Sequence, residues 1–137
     1  MLFIFQLTGE KMSEIHESGE DYLEAILCIQ KLNGAARSVD VSKRLGVSKP
    51  SVSRAIGILI ENEYIYIGET GALCFTEKGK EKAEEIFARH TLLTDFLVKI
   101  TGVSKEQAEK NACKIEHDID DDVKKGIERW MENNKDA

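Results

Sequence analysis

Apolar residues recur along this chain with the period of a helix in most places and with the period of a strand in one. Tyr22, Leu23, Ile26, Leu27 and Leu32 form the first helical stripe, with Ser18, Glu20 and Asp21 as its start signal and Asn33-Gly34 as its stop. Ser38 is expected to cap a short helix running to Leu45, with Gly46 ending it. A third helix runs from about Ser48 to Asn62: Ser48 caps it, Pro50 fits its first turn, and Val52, Ile56, Leu59 and Ile60 make its apolar face. Then the period changes. Tyr64–Ile67 and Ala72–Phe75 are two β-rich runs around the turn Gly68–Gly71, which reads as a hairpin. Thr76 opens a long helix whose apolar positions, from Ala83, Ile86 and Phe87 through Leu92, Leu93, Phe96 and Leu97, persist to Ile100 before Gly102. Ser104 with Gln107 is a capping box for a fifth helix to about His117. Asp118–Asp122 begin a sixth, with Val123, Ile127, Trp130 and Met131 on one side.

This order predicts a mostly α fold with a small β-hairpin: a winged helix-turn-helix DNA-binding domain over residues 13–77 and a helical dimerisation domain over 78–137, with 1–12 disordered or an extra N-terminal extension. The last helices are too short and too sparsely apolar to make a core alone. They are expected to pack on the long helix and on a second copy, giving a homodimer with two probe helices. The probe is the third helix, whose Ser48, Lys49, Pro50, Ser51, Ser53 and Arg54 form the candidate reading surface. Small side chains there let the helix approach a groove closely, and Arg54 can reach guanine or phosphate.

Charge sharpens this picture. The net charge of −6 over 137 residues opposes binding to nucleic acid, yet from Arg37 to Gly57 five cations, Arg37, Lys43, Arg44, Lys49 and Arg54, face only Asp40. Arg37 thereby joins the candidate DNA-binding residues. Acidity is concentrated in Glu14–Glu24 and Asp118–Asp122. The three cysteines, Cys28, Cys74 and Cys113, are scattered and odd in number, which speaks for a reducing cytoplasm rather than a disulfide framework. The apolar run Met1–Leu7 lacks a basic flank and a cleavage site and is too short to span a bilayer, so no targeting segment or membrane partner is expected.

A second set of residues carries chemistry. Asp21 and Glu24 lie three apart, on one face of the first helix; Cys113, Glu116 and His117 lie at i, i+3 and i+4 of the fifth; His90 is midway along the long helix. Each type has an ordinary structural use, the acids beside a helix dipole and the cysteine as a small apolar group. Together they offer three carboxylates, two imidazoles and one thiol, the donor mixture of a divalent ion such as Mn(II), Fe(II), Co(II) or Zn(II). The same groups could surround an activated water in a hydrolase, but that leaves the helix-turn-helix unexplained, and no enzyme is expected. An alternative keeps the winged helix but makes Cys113 a redox or small-molecule switch in a metal-independent regulator.

Five separated motifs occur here in a familiar order and spacing: Asp21-Tyr22-Leu23-Glu24, Ser48-Lys49-Pro50-Ser51-Val52-Ser53, Leu73-Cys74-Phe75-Thr76-Glu77-Lys78-Gly79, Arg89-His90-Thr91-Leu92-Leu93 and Cys113-Lys114-Ile115-Glu116-His117. Over about Ser18 to Trp130 the chain resembles the DtxR/MntR family of metal-dependent transcriptional repressors, in the short form without a C-terminal β-barrel. The resemblance implies a divalent metal held between two domains, enabling a dimer to bind a palindromic operator in double-stranded DNA, with repression of metal-uptake genes. It assigns Asp21, Glu24, His90, Glu116 and His117 to the metal as in manganese-type members, while Cys113 matches iron-type ones. The donor set is a hybrid, and Fe(II) or Mn(II) is the implied ion, with Co(II) or Zn(II) as substitutes in vitro. Thr94 stands where some relatives carry an acid for a second ion, so a second site built in that way is not expected.

Overall fold

The computed structural model describes residues 17–136, so the expectation for residues 1–12 lies outside the described residues. Six helices and one antiparallel hairpin follow in the order α1 (Glu17–Asn33), α2 (Ser38–Leu45), α3 (Lys49–Glu61), β1 (Ile65–Ile67), β2 (Leu73–Phe75), α4 (Glu77–Thr101), α5 (Lys105–Ile115) and α6 (Asp121–Asn133). They form two compact units, one ending at Glu84 and the other beginning at Glu85, both within α4.

In the first unit α1, α2 and α3 pack on one another, and α3 meets β1. The spacing of the apolar residues decides what they bury: Leu23, Ile26 and Leu27 of α1, Val41 of α2, Val52 and Leu59 of α3, Ile65 and Leu73 of the hairpin are fully enclosed. Each such side chain contributes about 1.5–3 kcal/mol when removed from water. Three sequence expectations need correcting. Ser18 lies inside α1 rather than before it. Arg37, not Ser38, is the cap of α2, because the Asp40 carboxylate reaches back and accepts from the Arg37 amide at 2.9 Å, which leaves no role for a serine hydroxyl. Ile60 is 37% exposed, since the position after Leu59 is turned about 100° away from the buried stripe.

The connection from α2 to α3 is built from three residues. Gly46 takes the left-handed C-cap and donates to Ser42 O at 2.9 Å; the Ser42 hydroxyl donates to Val47 O at 2.6 Å; Ser48 Oγ accepts from the Ser51 amide at 3.2 Å and starts α3. The hairpin pairs Ile65 with Phe75 and Ile67 with Leu73. Two three-residue strands are marginal alone. Here Ala36 adds a bridge to Leu73, whose amide donates to Ala36 O at 2.7 Å, and Gln30 Nε2 donates to Leu73 O at 3.1 Å.

The start of α4 is locked to the hairpin by the motif around Thr76. Its hydroxyl donates to Glu63 O at 2.7 Å and accepts from the Gly79 amide at 3.0 Å. Gly79 is required by close approach: a Cβ there would come within 1.8 Å of Tyr64 O. Lys78 Nζ donates to Asn62 O at 2.9 Å and sits 4.3 Å from the centre of the Tyr64 ring.

The second unit holds the rest of α4 with α5 and α6. Ser104 caps α5 by accepting from the Gln107 amide at 3.1 Å, and Asp120 caps α6 by accepting from Val123 at 3.0 Å. The helix α5 stops at Ile115, earlier than expected, so Glu116 is its C-cap and His117 lies in the turn that follows, closed by the Asp118 amide on Ile115 O at 3.0 Å. Its apolar core is thin: Ile86, Leu93, Ala108 and Ala112 are buried, while no residue of α6 is. Phe96 and Trp130 meet edge to face at 5.6 Å beside an open apolar groove that Ile100, Val123 and Ile127 also line. Among the described residues no helix is long and apolar enough to cross a membrane.

Candidate functional site

The buried stripe of α3 fixes what its other side offers. With Val52, Ile56 and Leu59 turned inward, Lys49, Pro50, Ser51, Ser53 and Arg54 are all exposed. Ser48, also exposed, is held by its capping bond and donates from its hydroxyl to Ser51 Oγ at 2.9 Å. A rigid helix thus presents two short hydroxyls and two longer cations near its N-terminal turns, the end that enters the major groove in helix-turn-helix proteins. Arg37 is exposed as well, at the head of α2.

The second unit contains a buried ionisable cluster. Glu116 is 0% exposed, and its two carboxylate oxygens each meet an imidazole: Oε1 lies 2.6 Å from His90 Nδ1 and Oε2 lies 3.2 Å from His117 Nε2. The long helix α4 supplies His90, the C-cap of α5 supplies Glu116, and the turn after it supplies His117. A carboxylate withdrawn from water is costly unless it is compensated. Two nitrogens and two oxygens converging in a buried place are also a donor set suited to a borderline divalent ion, so the residues present fit a metal.

Arg89, which sequence reasoning quoted only as part of a motif, supports this cluster. Its Nη1 donates to the Glu116 carbonyl at 3.1 Å and its Nη2 pairs with Asp121 at 3.5 Å, so one guanidinium ties the end of α5 to the start of α6 around the segment carrying Glu116 and His117. The only sequence signal for it was its place beside His90.

The remaining candidates are placed as follows. Asp21 and Glu24 are half-buried on one face of α1, three residues apart. Cys113 is exposed on α5, one turn before Glu116. Cys28, half-buried on α1, has its thiol pushed above the ordinary cysteine range by burial, with the Arg44 guanidinium pulling in the opposite direction.

Comparison with known proteins matches each part of the chain. Residues 14–72 match the family described as iron dependent repressor, N-terminal DNA binding domain, and residues 76–136 match iron dependent repressor, metal binding and dimerisation domain. An HTH-type transcriptional regulator of Methanocaldococcus jannaschii is 34% identical over 125 residues, 88% of this chain and 97% of the relative. The HTH-type transcriptional regulator MntR of Bacillus subtilis is 34% identical over 102 residues, 74% of this chain and 71% of the relative. The solved structure of a manganese-dependent transcriptional repressor in complex with manganese superposes with a TM-score of 0.77 at 27% identity, covering 83% of this chain. This chain spans about half of that one, 52%.

Proposed function

Since the chain belongs to the iron-dependent repressor family of metal-dependent transcriptional regulators, we propose that it is a repressor of metal-uptake genes that binds a palindromic operator as a homodimer when loaded with Fe(II) or Mn(II). The observation that carries this reading is the buried Glu116 between His90 and His117, in the part of the chain matched to the family's metal-binding domain. Asp21, Glu24 and Cys113 are the further donors we assign. When bound, an ion would supply a positive charge to these carboxylates, and the thiolate of Cys113 would favour Fe(II) over Mn(II). These donors lie on α1, on α4 and at the end of α5, so a bound ion restricts the arrangements open to the chain and selects those in which paired α3 helices fit two half-sites. Because carboxylates, imidazoles and thiol must be deprotonated to bind, metal affinity falls as pH is lowered. The cytoplasm is the setting that keeps the three cysteines in the thiol form.

The test is a mobility-shift titration of the metal-free chain on the promoter fragments of its own genome, with Fe(II) under anaerobic conditions, with Mn(II), and with chelator. Metal-dependent retardation that chelator reverses is the expected result. Retardation by the Glu116→Ala variant that still requires metal would overturn the assignment. A response to oxidant in place of metal, abolished by Cys113→Ser, would put the redox switch in its place.

A further inference from the structure

The wing carries no positive charge of its own. From Asn62 to Thr76 there is no lysine or arginine, and Glu63 and Glu69 are its ionised groups. The next cation along the chain, Lys78, is engaged by Asn62 O and the Tyr64 ring. A hairpin of this charge is repelled by a phosphate backbone. The first unit corrects this from outside the hairpin. Arg37 is fixed on both sides of its backbone: its amide donates to Asp40 and its carbonyl accepts from Asp40 N at 2.9 Å, while its neighbour Ala36 is wholly buried and bridged to Leu73. From that anchor the exposed side chain reaches the hairpin turn, where Nη1 would lie 2.8 Å from a Cβ on Gly71, a residue at φ +88°.

We propose that Arg37 is the phosphate-binding residue of the wing, a guanidinium lent by the head of α2 and aimed by its packing against the bare backbone of Gly71. This deepens the reading of the chain as a DNA-binding regulator and rests on it. Two roles follow for one glycine: it permits the positive φ of the turn, and it leaves room for the guanidinium. The wing and the helix-turn-helix then approach the duplex as one body, with Arg37 on the backbone and α3 in the groove.

Phosphate contacts are independent of sequence, so the test needs only a fluorescent duplex of mixed sequence, titrated with the full chain and Mn(II) at several KCl concentrations. Arg37→Gln is expected to weaken binding roughly fivefold or more and to reduce the slope of log K against log salt by about 0.9 for each protomer. Gly71→Asn changes no charge and tolerates the left-handed conformation, but its Cβ displaces the guanidinium. It is expected to lower the slope as Arg37→Gln does, and the double variant to be no worse than either single one. Amide exchange at Gly68 and Leu73 checks that the hairpin persists. If Arg37→Gln binds with the slope of the unsubstituted chain, the proposal is overturned; the same holds if an intact Gly71→Asn keeps that slope. Failure of the unsubstituted chain to bind any duplex with either Mn(II) or Fe(II) is a different result, which removes the functional reading itself.

Discussion

The two units of this chain solve opposite problems. The first has a full apolar core, drawn from three helices and a hairpin, and keeps its polar chemistry outside: Lys49, Ser51, Ser53 and Arg54 all face solvent. The second buries little apolar surface, leaves Ile100, Ile115, Val123 and Trp130 substantially exposed, and places an ionisable side chain, Glu116, at full burial. One unit is held by what it excludes from water and the other is organised around what it holds. The lesson is that the reading surface is built to be constant while the sensing part is built to be conditional.

The largest effect is expected where that condition is removed. Glu116→Ala should abolish metal-stimulated DNA binding and lower metal affinity by more than the roughly 10–100-fold that loss of a supporting partner costs, with far-ultraviolet dichroism unchanged. Titration calorimetry with Mn(II) reads the affinity directly. An excavation of the constant unit is the counterpart: Leu59→Ala should cost about 2–5 kcal/mol in thermal or urea unfolding, by the same amount with and without Mn(II). A dependence of that loss on metal would erase the contrast between the units.

Metal itself should act unevenly. At roughly 100 times its dissociation constant, Mn(II) is expected to stabilise the fold by about 2.7 kcal/mol, with amide exchange slowed more in α5 and α6 than in α2 and α3. Arg54→Ala should cost about 1–3 kcal/mol in operator binding and leave the calorimetric metal affinity where it was. The smallest effect concerns the thiols. Cys113 is exposed, whereas burial raises the pKa of Cys28 and keeps it protonated, so iodoacetamide near neutral pH should label Cys113 first. Labelling of Cys28 should gain on it as pH rises through the raised pKa, as peptide mass spectrometry would show.

This asymmetry also explains what could be read from the residues alone. The elements of the first unit announce themselves locally: Gly46 and Ser48 delimit the turn before α3, and the alternation around Gly68–Gly71 marks the hairpin, so each feature lies within a few residues of its cause. The cap of α2 was misplaced by one residue because both Ser38 and Asp40 offer an oxygen, and only the geometry of the Asp40 side chain decides between them. In the second unit the important contacts join distant positions. Spacing put Glu116 and His117 side by side, but the 2.6 Å contact of Glu116 with His90, 26 residues earlier, and the hold of Arg89 on the Glu116 carbonyl are tertiary facts. Arg89 carried no pattern of its own. The Arg37 contact with Gly71 was hidden for the same reason, since charge counting marked the cation but could not reveal its neighbour.

Gly79 has a consequence for genetics. It is neither a proposed metal donor nor a residue of α3, yet even a methyl group would strike the Tyr64 carbonyl and prise the start of α4 from the hairpin. A selection for alleles that no longer answer to the environment would therefore recover changes at this codon beside those in the proposed donors. Such alleles would be told apart by their failure to accumulate as folded protein in the cell.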